Sequence, residues 1–345
     1  MSHLQGRERI APVMRSAERG NAMDWEQRCM KLCAWVLTLA LFLRLWAGGA
    51  LTPVGQAMQT SDAASFLLYL HTGRVVRLAS PEPVAVLPPA PPEETAPAFQ
   101  AADLALVEIS NEPGLPADPE ALLTAPLDLL LADGQPRVLI LHSHTTESFT
   151  QTGDRYEETS PYRTLDPGHN MIALGNIVAE ILTEAGIGVI HDTQFHDYPS
   201  YNGSYSHAAA STRAYLEEYP TIGLILDLHR DAADTPTGQM ATNCSIGGEK
   251  AAQLMFVLGT DKRLSHPDWE QNFSLALKLE ILLEKENPGI CRSLTLSKNR
   301  YNQHLGPYAL LIEIGAAGNT LDQAKLAARE LGEALVLLAQ MQNDE

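Results

Sequence analysis

The residues of this sequence best suited to chemistry are polar groups that interrupt or directly follow apolar runs. HSHTTES, residues 142–148, follows VLIL; His229 ends ILDLH; Glu313 breaks LLIEIG. Imidazoles and carboxylates buried without partners are costly, so several at neighbouring strand ends need a shared reason. A divalent cation supplies one. Zinc takes His nitrogen and carboxylate oxygen in tetrahedral geometry, and a catalytic site uses three protein ligands and leaves the fourth position to water. His144, Glu147 and His229 meet that count, and Glu313 is then placed to move protons while water attacks a carbonyl and an amine departs. The chemistry expected is metal-assisted amide hydrolysis. Spacing leaves one ligand open: His142 and His144 face the same way if the strand stays extended through Ser143, so either fits. Asp227 shares a side with His229 and suits the role of orienting its imidazole. Arg230 and Asp231 are expected to pair with each other.

These groups need a scaffold, and the sequence from Arg137 onward alternates regularly. PRVLILH reads as a buried strand. NMIALGNIVAEILTEAGIG has helical apolar spacing from Met171 to Ala185 and stops at Gly186. GVIHD predicts a strand, GSYSHAAASTRAYLEEY a helix, and TIGLILDLHRD, Thr221 to Asp231, another strand. AQLMFVLGT, HPDWEQNFSLALKLEILLEKE, YALLIEIG and LDQAKLAARELGEALVLLAQ continue as strand, helix, strand and helix. The alternation predicts an α/β domain with a mostly parallel sheet flanked by helices. Ligands in such sheets gather at the carboxyl ends of the strands. HDYPSYNGSY, 196–205, and RYNQ, 300–303, are candidate substrate loops, and Ala232 to Lys250 interrupts the rhythm as a loop or hairpin. Residues 101–135 predict a Pro-interrupted helical lead-in that packs on the domain.

The chain has 345 residues, with 24 Lys and Arg against 42 Asp and Glu, a net charge of -18. Nucleic-acid binding has no electrostatic footing at that charge. Arg7, Arg9, Arg15, Arg19, Arg28 and Lys31 precede an apolar stretch at 32–54, a bias that keeps the amino terminus cytoplasmic. Residues 1–31 are therefore expected as a cytoplasmic tail and 32–54 as a transmembrane anchor, with everything beyond it outside. Leu32 to Leu43 alone is too short for about 30 Å of hydrocarbon, so the span must run past Arg44. A cleaved signal peptide is the alternative, with AGGA at 47–50 as its cleavage region. Residues 55–100 predict a short juxtamembrane helix and a stalk whose prolines hold it extended, and 101–345 the catalytic domain. Cys29 and Cys33 lie at the expected membrane edge, and pairing of Cys244 with Cys291 is left open.

HSHTTES, HDYPSYNGSY, ILDLHRDA, HPDWEQN, RYNQ and LLIEIGAAGNT, in this order and at these separations, closely resemble the stage II sporulation protein P family from Pro136 to the carboxyl terminus. The resemblance implies a core similar to the cell-wall amidases, zinc as cofactor, and cleavage of the N-acetylmuramoyl-L-alanine bond of peptidoglycan during spore engulfment, with peptide cross-links as a second target. It implies His144, Glu147 and His229 as zinc ligands and Glu313 as the catalytic acid. The wider amidases place their middle carboxylate at the start of the first helix, where this chain has His169 and Asn170. A residue near His169 thus stays open beside Glu147. The implied setting is the mother cell membrane, with the domain facing the forespore and stage II sporulation proteins D and M as partners. Two other classes compete. A zinc carboxypeptidase acting on stem peptides needs a cation for the terminal carboxylate, from Arg213, Arg230, Arg292 or Arg300. A non-catalytic peptidoglycan-binding scaffold needs no zinc-dependent activity at all.

Overall fold

The computed structural model describes residues 99–131, 133–153, 155–236, 238–306 and 308–343. The tail at 1–31, the anchor or signal at 32–54, and the juxtamembrane helix and stalk up to residue 98 lie outside the described residues, as do Cys29 and Cys33. Among the described residues no helix is long and apolar enough to cross a membrane.

After a 3-10 turn at Ala101–Leu106 come β1 (Ile109–Asn111), α1 (Pro119–Thr124), β2 (Pro136–Leu141), α2 (Met171–Glu184), β3 (Gly188–His191), α3 (Ser204–Glu218) and β4 (Leu224–Asp231). Then follow β5 (Asp234–Thr235), β6 (Gly238–Gln239), β7 (Asn243–Ile246), β8 (Glu249–Ala252), β9 (Leu254–Gly259), α4 (Trp269–Glu286), β10 (Leu294–Ser297), β11 (Ala309–Ala316) and α5 (Leu321–Asn343). Every strand and helix expected from Arg137 onward forms. Seven strands make one sheet in the order β1, β10, β9, β11, β4, β2, β3. Its neighbours are parallel except at β9 and β11, where two parallel blocks meet head to tail. The architecture is the expected α/β one.

Alternation along the central strands explains both faces of the sheet. Successive side chains of a strand point to opposite sides. Val138, Ile140, Leu224, Leu226, Leu228, Leu310 and Ile312 enter the main core with residues of α2, α4 and α5. Leu139, Leu141, Ile225 and Ala309 join a much smaller cluster with Ala208 of α3. Asp227, His229 and Glu313 continue this second series and stand on the thinly covered face. Three helices thus back one side, while the other carries only α3 and loops.

The helical lead-in is shorter than expected. Asp118 caps the amide of Ala121 at 3.1 Å and Pro119 opens α1, but Pro126 disfavours helix at Ala125, and α1 stops at Thr124. It does pack on the domain: Ser274 Oγ and Lys278 Nζ of α4 donate to Leu122 O at 2.7 and 3.1 Å. The segment 232–250 forms antiparallel pairs, β5 with β6 and β7 with β8. Cys244 and Cys291 are free thiols.

Past Glu313 the pairing of β11 with β4 shifts register, from Glu313 beside His229 to Ala316 beside Asp231. Bulges of this kind re-aim side chains next to functional sites. Asn319 secures the shift: its Oδ1 accepts from the amides of Thr242 and Ala316 at 3.1 and 2.9 Å, and its Nδ2 donates to Thr242 O at 2.9 Å. Asn319→Ala strands two buried amides, so a loss of about 2 kcal/mol or more is expected in denaturant unfolding. A loss within about 0.5 kcal/mol, the range of an ordinary surface change, would show that the knot carries no stability.

Candidate active site

The strand β2 ends at Leu141, and residues 143–146 turn before Glu147 bridges to Arg163. The turn separates the two histidines that an extended chain would have aligned. His142 keeps strand parity and points into the core side, where Nδ1 lies 3.0 Å from Leu228 O and Nε2 lies 2.8 Å from His191 Nε2. Gly175 of α2 makes room, since a Cβ there would fall 2.7 Å from His142 Nε2. His144 comes round to the open face. Its ring meets His229 edge-on, with centroids 5.3 Å apart.

His229 lies in β4 directly beside Glu313 of β11 in parallel register. Paired neighbours in register present their side chains to the same face, which brings the base candidate to the imidazole without any loop. Glu147 reaches in from the turn, with Oε2 3.6 Å from His229 Nδ1. The fold therefore assembles His144, Glu147, His229 and Glu313 in one place. They lie on the sheet face, within the strands in two cases, rather than beyond the carboxyl ends. His169 stands apart, 2.9 Å from Asp166, with Tyr156 tilted over its ring. Asn170 caps α2 by accepting from the amide of Ile172.

The electrostatics set the four groups apart. Burial opposes the charge of Glu147, but Arg230 and His229 hold its carboxyl down at about 2. Arg230 Nη1 and Arg163 Nη2 lie 3.5 and 3.4 Å from Glu147 Oε1. Arg230 therefore serves Glu147 instead of Asp231, and Asp231 pairs with Arg292 at 2.7 Å. Burial disfavours the imidazolium of His229, but Asp227 and Glu147 overcome it and raise its pKa well above the usual value. Burial pushes Glu313 up to about 8, with Glu147 and Asp231 adding to the rise against His229 and Arg230. One carboxyl is fixed as an anion while the other is poised to exchange a proton.

Asp227 stands 2.8 Å from His229 Nε2 and accepts from the amide and hydroxyl of Ser143 at 2.7 and 2.6 Å. The His229 contact is close but poorly aligned, so Nε2 has no hydrogen-bond partner. His144 Nδ1 and Glu313 Oε2 are likewise buried without one. These two imidazoles and one carboxylate carry orphaned atoms, while Glu147 accepts from Arg163 Nη2 and the amide of Arg230, and all four are of the donor types zinc takes. They are not drawn into a ready cage: among the described residues, no three His, Cys, Asp or Glu side chains stand together as a metal-holding group.

Aromatic side chains wall the site. Tyr201 stacks on His144 at 4.5 Å between centroids, with its hydroxyl 3.2 Å from Nε2, and the Arg163 guanidinium lies over the Tyr201 ring. Tyr205 packs against both His144 and His229. Both tyrosines come from HDYPSYNGSY, which therefore borders the site as expected. Asp197 of the same loop accepts from Thr146 Oγ1 and Arg163 Nη1, both at 2.6 Å, and ties the loop to the turn. Sequence reasoning missed Arg163, Ser143 and Asp197, whose roles arise only once the turn closes. In HPDWEQN, His266 and Asn272 bond Gly259 O and the amide of Ala309, which makes them scaffold residues.

A family model described as Stage II sporulation protein P (SpoIIP) matches residues 98–336. The chain belongs to the stage II sporulation protein P family. It is 28% identical over 203 residues to stage II sporulation protein P of Bacillus subtilis (strain 168), which covers 55% of this chain and 48% of that protein. The chain thus spans about half the length of this curated family member. Solved structures similar to it include N-acetylmuramoyl-L-alanine amidase AmiC2 of Nostoc punctiforme, 12% identical, covering 62% of this chain and 99% of that one, with a TM-score of 0.37. An N-acetylmuramoyl-L-alanine amidase from Clostridium difficile 630 is 15% identical over 62% of this chain and 99% of its own, with a TM-score of 0.35.

Proposed function

We propose that this chain is a membrane-anchored, zinc-dependent peptidoglycan hydrolase of sporulation that cleaves the N-acetylmuramoyl-L-alanine amide bond. The observation that carries the reading is the convergence of His144, Glu147 and His229 beside Glu313, in a member of the stage II sporulation protein P family. His144, Glu147 and His229 would hold the ion. A bound zinc supplies a Lewis acid for the scissile carbonyl. Glu313 takes a proton from the attacking water and delivers it to the departing amide nitrogen. A nearby cation favours its ionised form, which suits a base at neutral pH. Asp227 orients His229, and Tyr201 and Tyr205 shield the reacting atoms from bulk water. Peptide cross-links are a second target of the same site, and stage II sporulation proteins D and M are the expected partners. The catalytic domain acts outside the mother cell membrane, facing the forespore.

The test is digestion of purified sacculi with the full-length chain, with mass spectrometry of the products and metal analysis of the protein. Free stem peptides and about one zinc per chain are expected. Shortened stems still attached to sugar would instead identify a carboxypeptidase. Binding with no zinc-dependent product would identify a scaffold. Asp227→Asn should lower cleavage roughly 10- to 100-fold, since partners of metal-binding histidines carry that weight. Unchanged turnover and zinc content in that variant would remove Asp227 from the site.

A further inference from the structure

Beyond Tyr205 a groove of about 700 Å³ opens, lined by Tyr205, Arg263, Leu264, Arg300, Tyr301 and His304 among others. Its charge is unusual for a chain with 42 acidic and 24 basic residues. Arg263 and Arg300 each give one bond to neutral oxygens, Asn299 Oδ1 and Ser265 O, both at 2.7 Å. Neither pairs with a carboxylate among the described residues. His304 Nδ1 is buried there without a hydrogen-bond partner. Burial, with Arg300, His266 and Arg213 adding to it, lowers the His304 imidazole to about 4, so the ring is neutral and its surroundings are cationic.

The groove wall is also built to stay in place. Tyr301 and Asn302 occupy left-handed backbone at φ 46 and 63°, a conformation that asparagine accepts readily but that is costly for the bulky tyrosine. Gln303 pins them from below, accepting from the amide of Gly259 and donating to Val257 O, both at 2.7 Å. Asn302 Nδ2 donates to Tyr205 O at 2.7 Å and joins the wall to the aromatic residues of the active site. Gly259 permits the close approach, because a Cβ there would lie 2.4 Å from Arg300 Cα. A braced backbone that holds guanidinium groups without a carboxylate partner suits a preorganised anion site.

We propose that this groove is a carboxylate subsite, in which Arg263 and Arg300 with His304 hold the acidic stem peptide while the bond to be cut lies at His144 and His229. It rests on the hydrolase reading for its substrate, and it places peptide charge, rather than sugar, as the specificity determinant on this side. The mixed lining suits such a peptide, since Leu264 and Tyr301 offer apolar surface to alanine methyls between the charged groups.

The test measures binding by calorimetry to the full-length chain of two free stem peptides, one with its carboxylates and one with them converted to amides. The carboxylate peptide should bind about ten-fold or more tightly, and added salt should weaken it alone. In the Arg263→Gln, Arg300→Gln double variant the two peptides should bind equally. Equal affinity in the unsubstituted chain, no binding of either peptide, or discrimination that survives the double substitution overturns the subsite. Failure of the hydrolase reading shows separately, as intact sacculi despite clear peptide discrimination.

Discussion

Glu313→Gln is expected to reduce release of stem peptides from sacculi about a thousand-fold or more while leaving substrate binding and zinc content in place. Loss of a general acid and base typically costs about 100- to 10,000-fold, and Glu313 performs both transfers in the proposed reaction. The substitution keeps the shape of the side chain on β11 and removes only its ability to hold and release a proton. A shape role predicts little change in Gln and a large one in Asp; a proton-transfer role predicts the reverse order. Retention of most activity in Glu313→Gln would remove this residue from the chemistry. Its neighbour in register, His229, makes the complementary case, since His229→Ala should lose both cleavage and zinc.

Glu280→Gln is expected to stabilise the protein, and to do so only above acidic pH. Glu280 sits in α4 with 1% of its surface exposed and an unpartnered Oε2. Burial, with Glu284 adding to it, pushes its carboxyl up to about 9 from an ordinary 4.5. A carboxyl raised in the folded state keeps its proton there while the unfolded chain ionises, so stability is full below about pH 4.5 and falls as pH rises towards 9. At about 1.4 kcal/mol per pH unit, the gain from Glu280→Gln at pH 7 has an upper limit of about 3.5 kcal/mol. Unfolding of both proteins at pH 4 and pH 8 measures it. Equal stability at pH 8, or a gain of the same size at pH 4, would show that Glu280 is not held neutral by burial.

The two strands that carry the site were the most legible part of the sequence, because TIGLILDLHRD and YALLIEIG are apolar runs broken by single polar residues. Their mutual register was not legible. That Glu313 stands beside His229 follows from long-range pairing, which no local pattern encodes. The His142 and His144 ambiguity has the same origin. Strand parity was the only guide available, and it failed because the chain turns at residues 143–146, where Asp227 captures the amide and hydroxyl of Ser143. β1 escaped notice because it has three residues, too few for a periodic signal. The antiparallel seam between β9 and β11 was hidden because strand-helix alternation reveals element type but not direction. Arg230 and Asp231 looked like natural partners in sequence, yet successive residues of a strand point apart.

The division of odd and even positions in β4 and β11 carries a consequence for how this domain tolerates changes in length. Inserting one residue upstream of His229 in β4 would send the imidazole into the aliphatic interior and turn Leu228 out toward the tyrosines. The catalytic constellation and the interior would be lost together. Two inserted residues restore the parity, so length variation in these strands is expected in even steps.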